Sequence, residues 1–489
     1  MTVHPLDLAV LLVYLVGITG WGIWLGRGQK GGRDYFLGGR ELPWGAVTLS
    51  IISTETSTLT FLSVPGVAYL GSFTFLQLAF GYVVGRVIVA WVLLPAYYRG
   101  QLATAYQLLE ERFGRGTRRF TSAIFMMTRL LADGVRLFAT ALPLALLTGW
   151  PLPVSILIMG IGTAIYAYTG GIRSVVWVDA AQTGIYMAGA VAAFIALGLL
   201  VPGGWGSILD SAAVAGKLRV IDPVLDFSIP YTLWAGLVGG AFLSMASHGT
   251  DHLMVQRVLT CHDLAGSRKA LVTSGFAIIV QFAVFLAIGV GLWAFYEGRE
   301  FARPDDAFAT FIVEELPPGI SGLLMAGVFA AAMSTPITAL ASACTYDFWA
   351  PAVGAESDDP RLLHVGRAFT GMWAVLLIGA AIAFIPLSRE AAAIEVALGI
   401  ASIVYGGLLG GFALAIFAPR ARQAHAIAGI ASGVATVTVI WLLARAEVAW
   451  PWFVPIGTAV TFAVGWTLSR FADGRTSSNP PVDELPAVP

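Results

Sequence analysis

Apolar stretches about 20 residues long, the length that crosses a bilayer as a helix, recur along nearly the whole chain. Thirteen spans are predicted, at approximately 7–26, 44–71, 74–98, 120–147, 152–170, 177–201, 229–256, 270–295, 320–348, 366–386, 391–418, 424–445 and 449–469. The second breaks the pattern. From Ser50 to Thr60 it carries Ser50, Ser53, Thr54, Glu55, Thr56, Ser57, Thr58 and Thr60, a polar density that hydrocarbon tolerates only where the segment faces protein or a water-lined cavity. Pro65-Gly66 follows and is expected to mark a place where helical hydrogen bonding fails. Ser and Thr also pack between membrane helices, and one or two of them would fit that role. Eight polar positions of eleven, a glutamate among them, favour a solvated binding site.

The seventh stretch is interrupted as well, by Gly239-Gly240 and the run Ser244-Met-Ala-Ser-His-Gly-Thr-Asp251. Broken spans five apart are what an inverted repeat of two five-helix units produces. The pattern therefore predicts an all-α polytopic membrane protein. Its transmembrane domain covers 1–472, with core repeats at about 44–201 and 229–418.

Composition fits this class: 57% of the 489 residues are hydrophobic and 12% charged, which is not the make-up of a soluble domain. The net charge of −1 decides nothing, but its placement does. Nineteen Lys and Arg fall in one set of loops (27–40, 98–119, 171–176, 257–269, 350–367, 419–423 and the tail), and five in the alternate set. The positive-inside rule then puts the N-terminus outside and the C-terminus in the cytoplasm, in a cytoplasmic (inner) cell membrane. The first residues lack the basic region and cleavage site of a signal peptide, so Val10 to Leu25 is expected to be a retained span. The loops 202–228 and 296–319 are long enough for short helices, and the polar, Pro-rich stretch 473–489 is expected to be a disordered cytoplasmic tail. Two cysteines, Cys261 and Cys344, make no disulfide framework or metal cluster. Dispersed basic residues give no nucleic-acid surface.

Charge at membrane depth is costly and needs a reason. Arg129, Asp133 and Arg136 share one face of span four. They form either a self-neutralising structural triad or a site in which one arginine is left to meet a substrate carboxylate. Asp179 and Gln182, one turn inside span six, are either satisfied by a neighbouring helix or serve a cation or coupling role. In span nine Ser334, Thr335 and Thr338 surround Pro336. Hydroxyls with free carbonyls from a broken helix suit a hard monovalent cation, while a proline kink with hydroxyls capping freed carbonyls accounts for them equally. Span eleven adds Ser402 and Tyr405-Gly406-Gly407, the glycines serving as a gate hinge or as packing.

These residues resemble the sodium:solute symporter family, whose members include sodium–proline, sodium–galactose and sodium–monocarboxylate transporters. Asp34-Tyr-Phe-Leu-Gly-Gly-Arg-Glu-Leu-Pro-Trp44 resembles the family's lead-in to its first core helix. Tyr168 to Gln182 matches a Gly-Gly…Val-x-Trp-x-Asp-x-x-Gln signature, Gln256-Arg257 a Gln-Arg pair, and Ser334-Thr335 with Thr338-Ala-Leu-Ala-Ser342 a hydroxyl-rich run. The resemblance implies a leucine-transporter-type fold with flanking helices. It implies a sodium ion held by the carbonyls of Ser53, Thr56 and Ala331 and the hydroxyls of Ser334 and Thr335, with Asp179 at a further sodium or coupling position. Three departures stand out. Pro336 directly follows the hydroxyl pair, Glu55 replaces a neutral residue, and Ser247-His248 stand where sugar transporters place aromatics, which argues against a sugar.

The expected function is secondary active transport: sodium-coupled symport of a small polar or anionic solute into the cell by alternating access. Solute is expected near mid-membrane among Glu55, Ser57, Thr60, Gln77, Arg129, Arg136, Ser244, Ser247, His248 and Ser402. Sodium is the coupling ion, and no cofactor is implied. The alternatives are proton coupling through Glu55, Asp179 or Asp251, and a membrane sensor that keeps the transporter fold, against which the lack of an appended signalling domain argues. No nucleophile–base pair or phosphate-cradling loop points to an enzyme. The expected partners are the solute, sodium and the lipid bilayer; the oligomeric state is left open.

Overall fold

A computed structural model of the chain describes residues 4–27, 31–99, 102–301, 304–332, 336–356, 359–386 and 393–471. The predicted tail, 473–489, lies outside these residues, as do Ser334 and Thr335. Within them the chain is helical. It opens with α1 (Pro5–Leu25) and α2 (Gly32–Leu37), followed by α3 (Trp44–Glu55) and α4 (Thr58–Leu70). Next come α5 (Leu76–Ile88), α6 (Leu94–Arg99), α7 (Gln107–Phe113), α8 (Arg115–Thr148) and α9 (Leu152–Leu200). The second half holds α10 (Gly204–Val214), α11 (Gly240–Gly249), α12 (His252–Val258), α13 (Leu264–Phe295), α14 (Pro304–Thr310) and α15 (Ile320–Ala332). It ends with α16 (Ile337–Ala343), α17 (Ala350–Val353), α18 (Arg361–Phe384), α19 (Ala393–Phe417), α20 (Gln423–Leu443) and α21 (Phe453–Phe471). Among the described residues seven helical runs are long and apolar enough to cross a bilayer, while pieces of broken spans such as Thr60–Leu70 and Ile320–Ala330 fall short on length.

Packing carries the inverted repeat. The helix that opens the first repeat, α3, packs on α9, which closes that repeat, and on α13, second in the other. Its counterpart α11 packs on α19 and α5 in the mirrored relation. Such an exchange follows from two five-helix units of opposite orientation. Outside them, α1 packs on α9 and α15, and α20 and α21 pack on α19.

Both predicted breaks exist, though not where prolines and glycines suggested. Helix α4 runs unbroken through Pro65. The first break instead falls at Thr56-Ser57, where hydroxyls replace backbone bonds: the Ser57 Oγ accepts from the Thr60 N–H at 3.2 Å, and the Thr60 Oγ1 accepts from the Ser57 N–H at 3.3 Å. In the seventh span Gly239-Gly240 stay helical, and the break is at Thr250-Asp251, where the Asp251 carboxylate caps α12 by accepting from the Leu253 N–H at 2.9 Å. The loop expected over 171–176 is helical. Spans five and six meet at Gly171, with φ 53° and ψ −152°, and a Cβ there would lie 2.3 Å from the Tyr35 carbonyl oxygen. At Tyr405-Gly406-Gly407 α19 is continuous, and Gly406 gives α21 room to approach at Gly457, the packing role. The two long loops hold α10 and α14 as expected.

Candidate functional site

The two breaks open onto one cavity of about 310 Å3 between α4, α8, α11, α12 and α19. Nine of the ten expected solute residues line it: Glu55, Ser57, Thr60, Arg129, Arg136, Ser244, Ser247, His248 and Ser402. Gln77 is not among them. It is fully buried and tied to a loop, its Nε2 donating to the carbonyls of Thr74 at 3.0 Å and Tyr231 at 3.1 Å, while its Oε1 accepts from the Asp222 N–H at 3.0 Å. Phe75, Tyr231 and Trp450, at the ends of their segments away from the basic loops, also line the cavity.

Each charge in this cavity has a traceable reason. The Glu55 carboxylate is ion-paired with Arg86, which is fully buried on α5 and also donates to the Ser274 hydroxyl at 2.6 Å. His248 brings its Nε2 to 3.8 Å from Glu55 and its Nδ1 to 2.8 Å from the Ser247 hydroxyl. Arg86 was missed from sequence, although an arginine inside an apolar span was itself the signal. Arg129 is paired with Asp251 and lies 3.4 Å from Asp133. Tyr405 joins this cluster by donating to Asp251 at 2.9 Å while receiving a bond from Arg129 at 2.8 Å. Arg136 differs from the others. Its two terminal nitrogens donate to the Thr54 carbonyl at 3.3 Å each, and among the described residues no carboxylate stands within ion-pairing distance of it.

The residues expected to hold sodium are distributed as follows. Ser53 and Thr56 are fully buried at the end of α3. The Ser53 Oγ makes no hydrogen bond among the described residues, and the Thr56 Oγ1 accepts from Gln281 at 2.7 Å. Ala331 is on the last turn of α15. Ser334 and Thr335 lie outside the described residues. Asp179 is absent from the cavity lining. It is fully buried, accepts from the Ser50 hydroxyl at 2.7 Å, and is ion-paired with the equally buried Arg257 at 3.2 Å.

Toward the basic-loop side, buried polar side chains tie several elements together. His252 follows the second break; its Nδ1 accepts from the Ala105 N–H at 3.4 Å and its Nε2 is 3.1 Å from the Ser342 hydroxyl. Nearby, buried Asp347 accepts from Thr104 at 2.6 Å, Arg118 Nε at 2.8 Å and Ser122 at 2.8 Å. Neither residue stood out in the sequence as a site.

Residues 35–433 match the Sodium:solute symporter family. The sodium/sialic acid symporter NanT of Aliivibrio fischeri is 27% identical over 99% of this chain and 96% of its own length. The human sodium/iodide cotransporter is 28% identical over 88% of this chain and 68% of its own. Among solved structures, the substrate-bound outward-open state of a Na+-coupled sialic acid symporter superposes with a TM-score of 0.86, at 25% identity, over 96% of this chain and 98% of that one.

Proposed function

The chain belongs to the sodium:solute symporter family, and from that premise we propose that it carries a small anionic solute inward across the cytoplasmic membrane, its anionic group meeting Arg136. A sodium-coupled solute symporter, and not an enzyme, is what membership makes it; direction, solute class and site are the proposed part. Arg136 carries the solute assignment. A guanidinium that faces a cavity at membrane depth, with Asp133 nearby but only a carbonyl as its hydrogen-bond acceptor, is a fork open to a carboxylate or similar oxyanion. The relatives' names point the same way, since sialic acid and iodide are both anions. Hydroxyls of Ser57, Thr60, Ser244 and Ser402 would complete the contacts.

Sodium would couple by binding one conformation better than the other. Oxygens of Ser53, Thr56, Ala331, Ser334 and Thr335 would join the α3–α4 break to the end of α15 while the cavity mouth is open. Asp179 would serve a further coupling role only by loosening its pair with Arg257. Proton coupling through Glu55 is disfavoured by the Arg86 partner that already balances its charge.

Two measurements test the proposal. Purified protein should be thermally stabilised by sodium chloride and not by potassium chloride, and the gain should vanish in Ser334→Ala/Thr335→Ala. An equal response to both salts would sink the sodium site. With a carboxylate library screened by the same assay in saturating sodium, Arg136→Gln should weaken the best anionic ligand by roughly 30-fold or more. A ligand affinity untouched by that change would remove Arg136 from the site.

A further inference from the structure

The first span lies outside both repeats, yet it places a carboxylate inside the protein. Asp7 is on the first turn of α1 and only 4% exposed. Its Oδ1 accepts from the N–H of Gly319 at 2.6 Å and of Gly322 at 2.9 Å. Those groups open α15, whose first turns have no helical acceptors of their own. The N–H groups of Ile320 and Ser321 use the Pro317 carbonyl instead, at 3.1 and 3.2 Å. Asp7 therefore completes the account of donors at this helix start, and its negative charge faces the positive end of the helix dipole. Gly322 makes the approach possible, since a Cβ there would lie 2.8 Å from the Asp7 Cα and 3.0 Å from its Oδ1.

At its other end α15 reaches Ala331 and leads in sequence to Ser334 and Thr335. A helix moves as a rod, so a contact that fixes its first turn fixes the depth and rotation of its last. An oxygen cage for a small cation tolerates displacements of only about 0.5 Å. We propose that Asp7 is a positioning residue for ion coupling: it holds α15 at the depth where the helix's far end can share sodium with the α3–α4 break. This inference rests on the sodium site named under Proposed function. It assigns a task to a span that the repeats do not include, and α1 is suited to it because it packs on both α15 and α9.

The experiment compares wild type, Asp7→Ala, Asp7→Asn and Gly322→Ala in the full chain. The sodium concentration giving half-maximal thermal stabilisation is read for each, together with solute affinity in saturating sodium. Alanine at position 7 should raise the sodium requirement about fivefold, the scale of a lost helix cap, with solute affinity within twofold of wild type. Asparagine, whose amide oxygen can accept both bonds, should restore most of it. Gly322→Ala keeps the carboxylate but wedges the helices apart, so it should also raise the requirement, and it carries the test if the alanine variant does not fold. Unchanged sodium requirements in folded variants, or an asparagine as impaired as alanine, would overturn the assignment alone. A wild type indifferent to sodium would overturn the sodium reading and this inference with it.

Discussion

Replacing Arg257 with methionine is expected to cost the fold about 3–5 kcal/mol. Arg257 and Asp179 are both fully buried, and the guanidinium reaches Asp179 Oδ2 from NH2 at 3.2 Å and from Nε at 3.3 Å. It also donates to the Leu253 carbonyl at 2.9 Å. Taking the arginine away leaves the Asp179 charge in a low-dielectric interior without its ion-pair partner, so that its desolvation is no longer offset as before. The drop should appear as a large fall in melting temperature or loss of folded protein in membranes. Adding Asp179→Asn to Arg257→Met should recover a substantial part, because the stranded charge is then gone. A double variant as unstable as the single one would mean that lost packing, and not the uncompensated charge, sets the cost. The same series bears on coupling. If Asp179→Asn alone folds well but no longer responds to sodium, the pair is more than structural.

Much of this architecture was legible because bilayer thickness imposes one length on every span, and runs of that length stand out in any window. The broken spans were legible too, since hydroxyls crowded between Ser50 and Thr60 have no place in lipid. Where each break falls was not. Proline at position 65 looked like the weak point, yet α4 absorbs it, while Thr56-Ser57 breaks because Ser57 and Thr60 supply a reciprocal cap. Charge partners were the hardest to read. The rule that an intramembrane charge must be compensated says nothing of which helix supplies the partner. Glu55 finds Arg86 from the next span, Arg129 finds Asp251 from the far repeat, and Asp179 finds Arg257. Gln77 and Asp179 carried the same signal as the cavity residues, polar and at membrane depth, but packing committed one to a loop and the other to an ion pair. Only tertiary geometry shows which partner each polar side chain takes, and the triad that read as one arginine too many is joined in the fold by Asp251, which pairs with Arg129.

Asp347→Ala should release the inner seal and shift the protein toward a state open on the basic-loop side. The carboxylate is 1% exposed and gathers three donors from two elements: Thr104 from the segment before α7, and Arg118 and Ser122 from α8. Arg118 would keep Glu110 and the Tyr346 carbonyl, at 2.6 Å for the latter, so the variant loses the Thr104 and Ser122 links and weakens the α8 link without abandoning a lone buried cation. Hydrogen bonds to charged groups contribute roughly 1.5–3 kcal/mol each, enough for one lost link to change a two-state ratio about tenfold or more. The chain carries its own reporter. Cys344 is on the same stretch, 9% exposed, with its Sγ 3.2 Å from the Trp373 indole nitrogen. In a Cys261→Ser background, which removes the other thiol, a maleimide should label Cys344 at least about ten times faster in Asp347→Ala than with Asp347 intact. Sodium should slow the reaction by favouring the state in which the seal is closed. Labelling that is equally slow in both proteins, with transport preserved, would mean the network merely braces α8 against the end of the ninth span. A seal built from one carboxylate opens only when three donors on two elements part from it together. If labelling follows this expectation, inner opening is cooperative, because Thr104, Arg118 and Ser122 must part from Asp347 together.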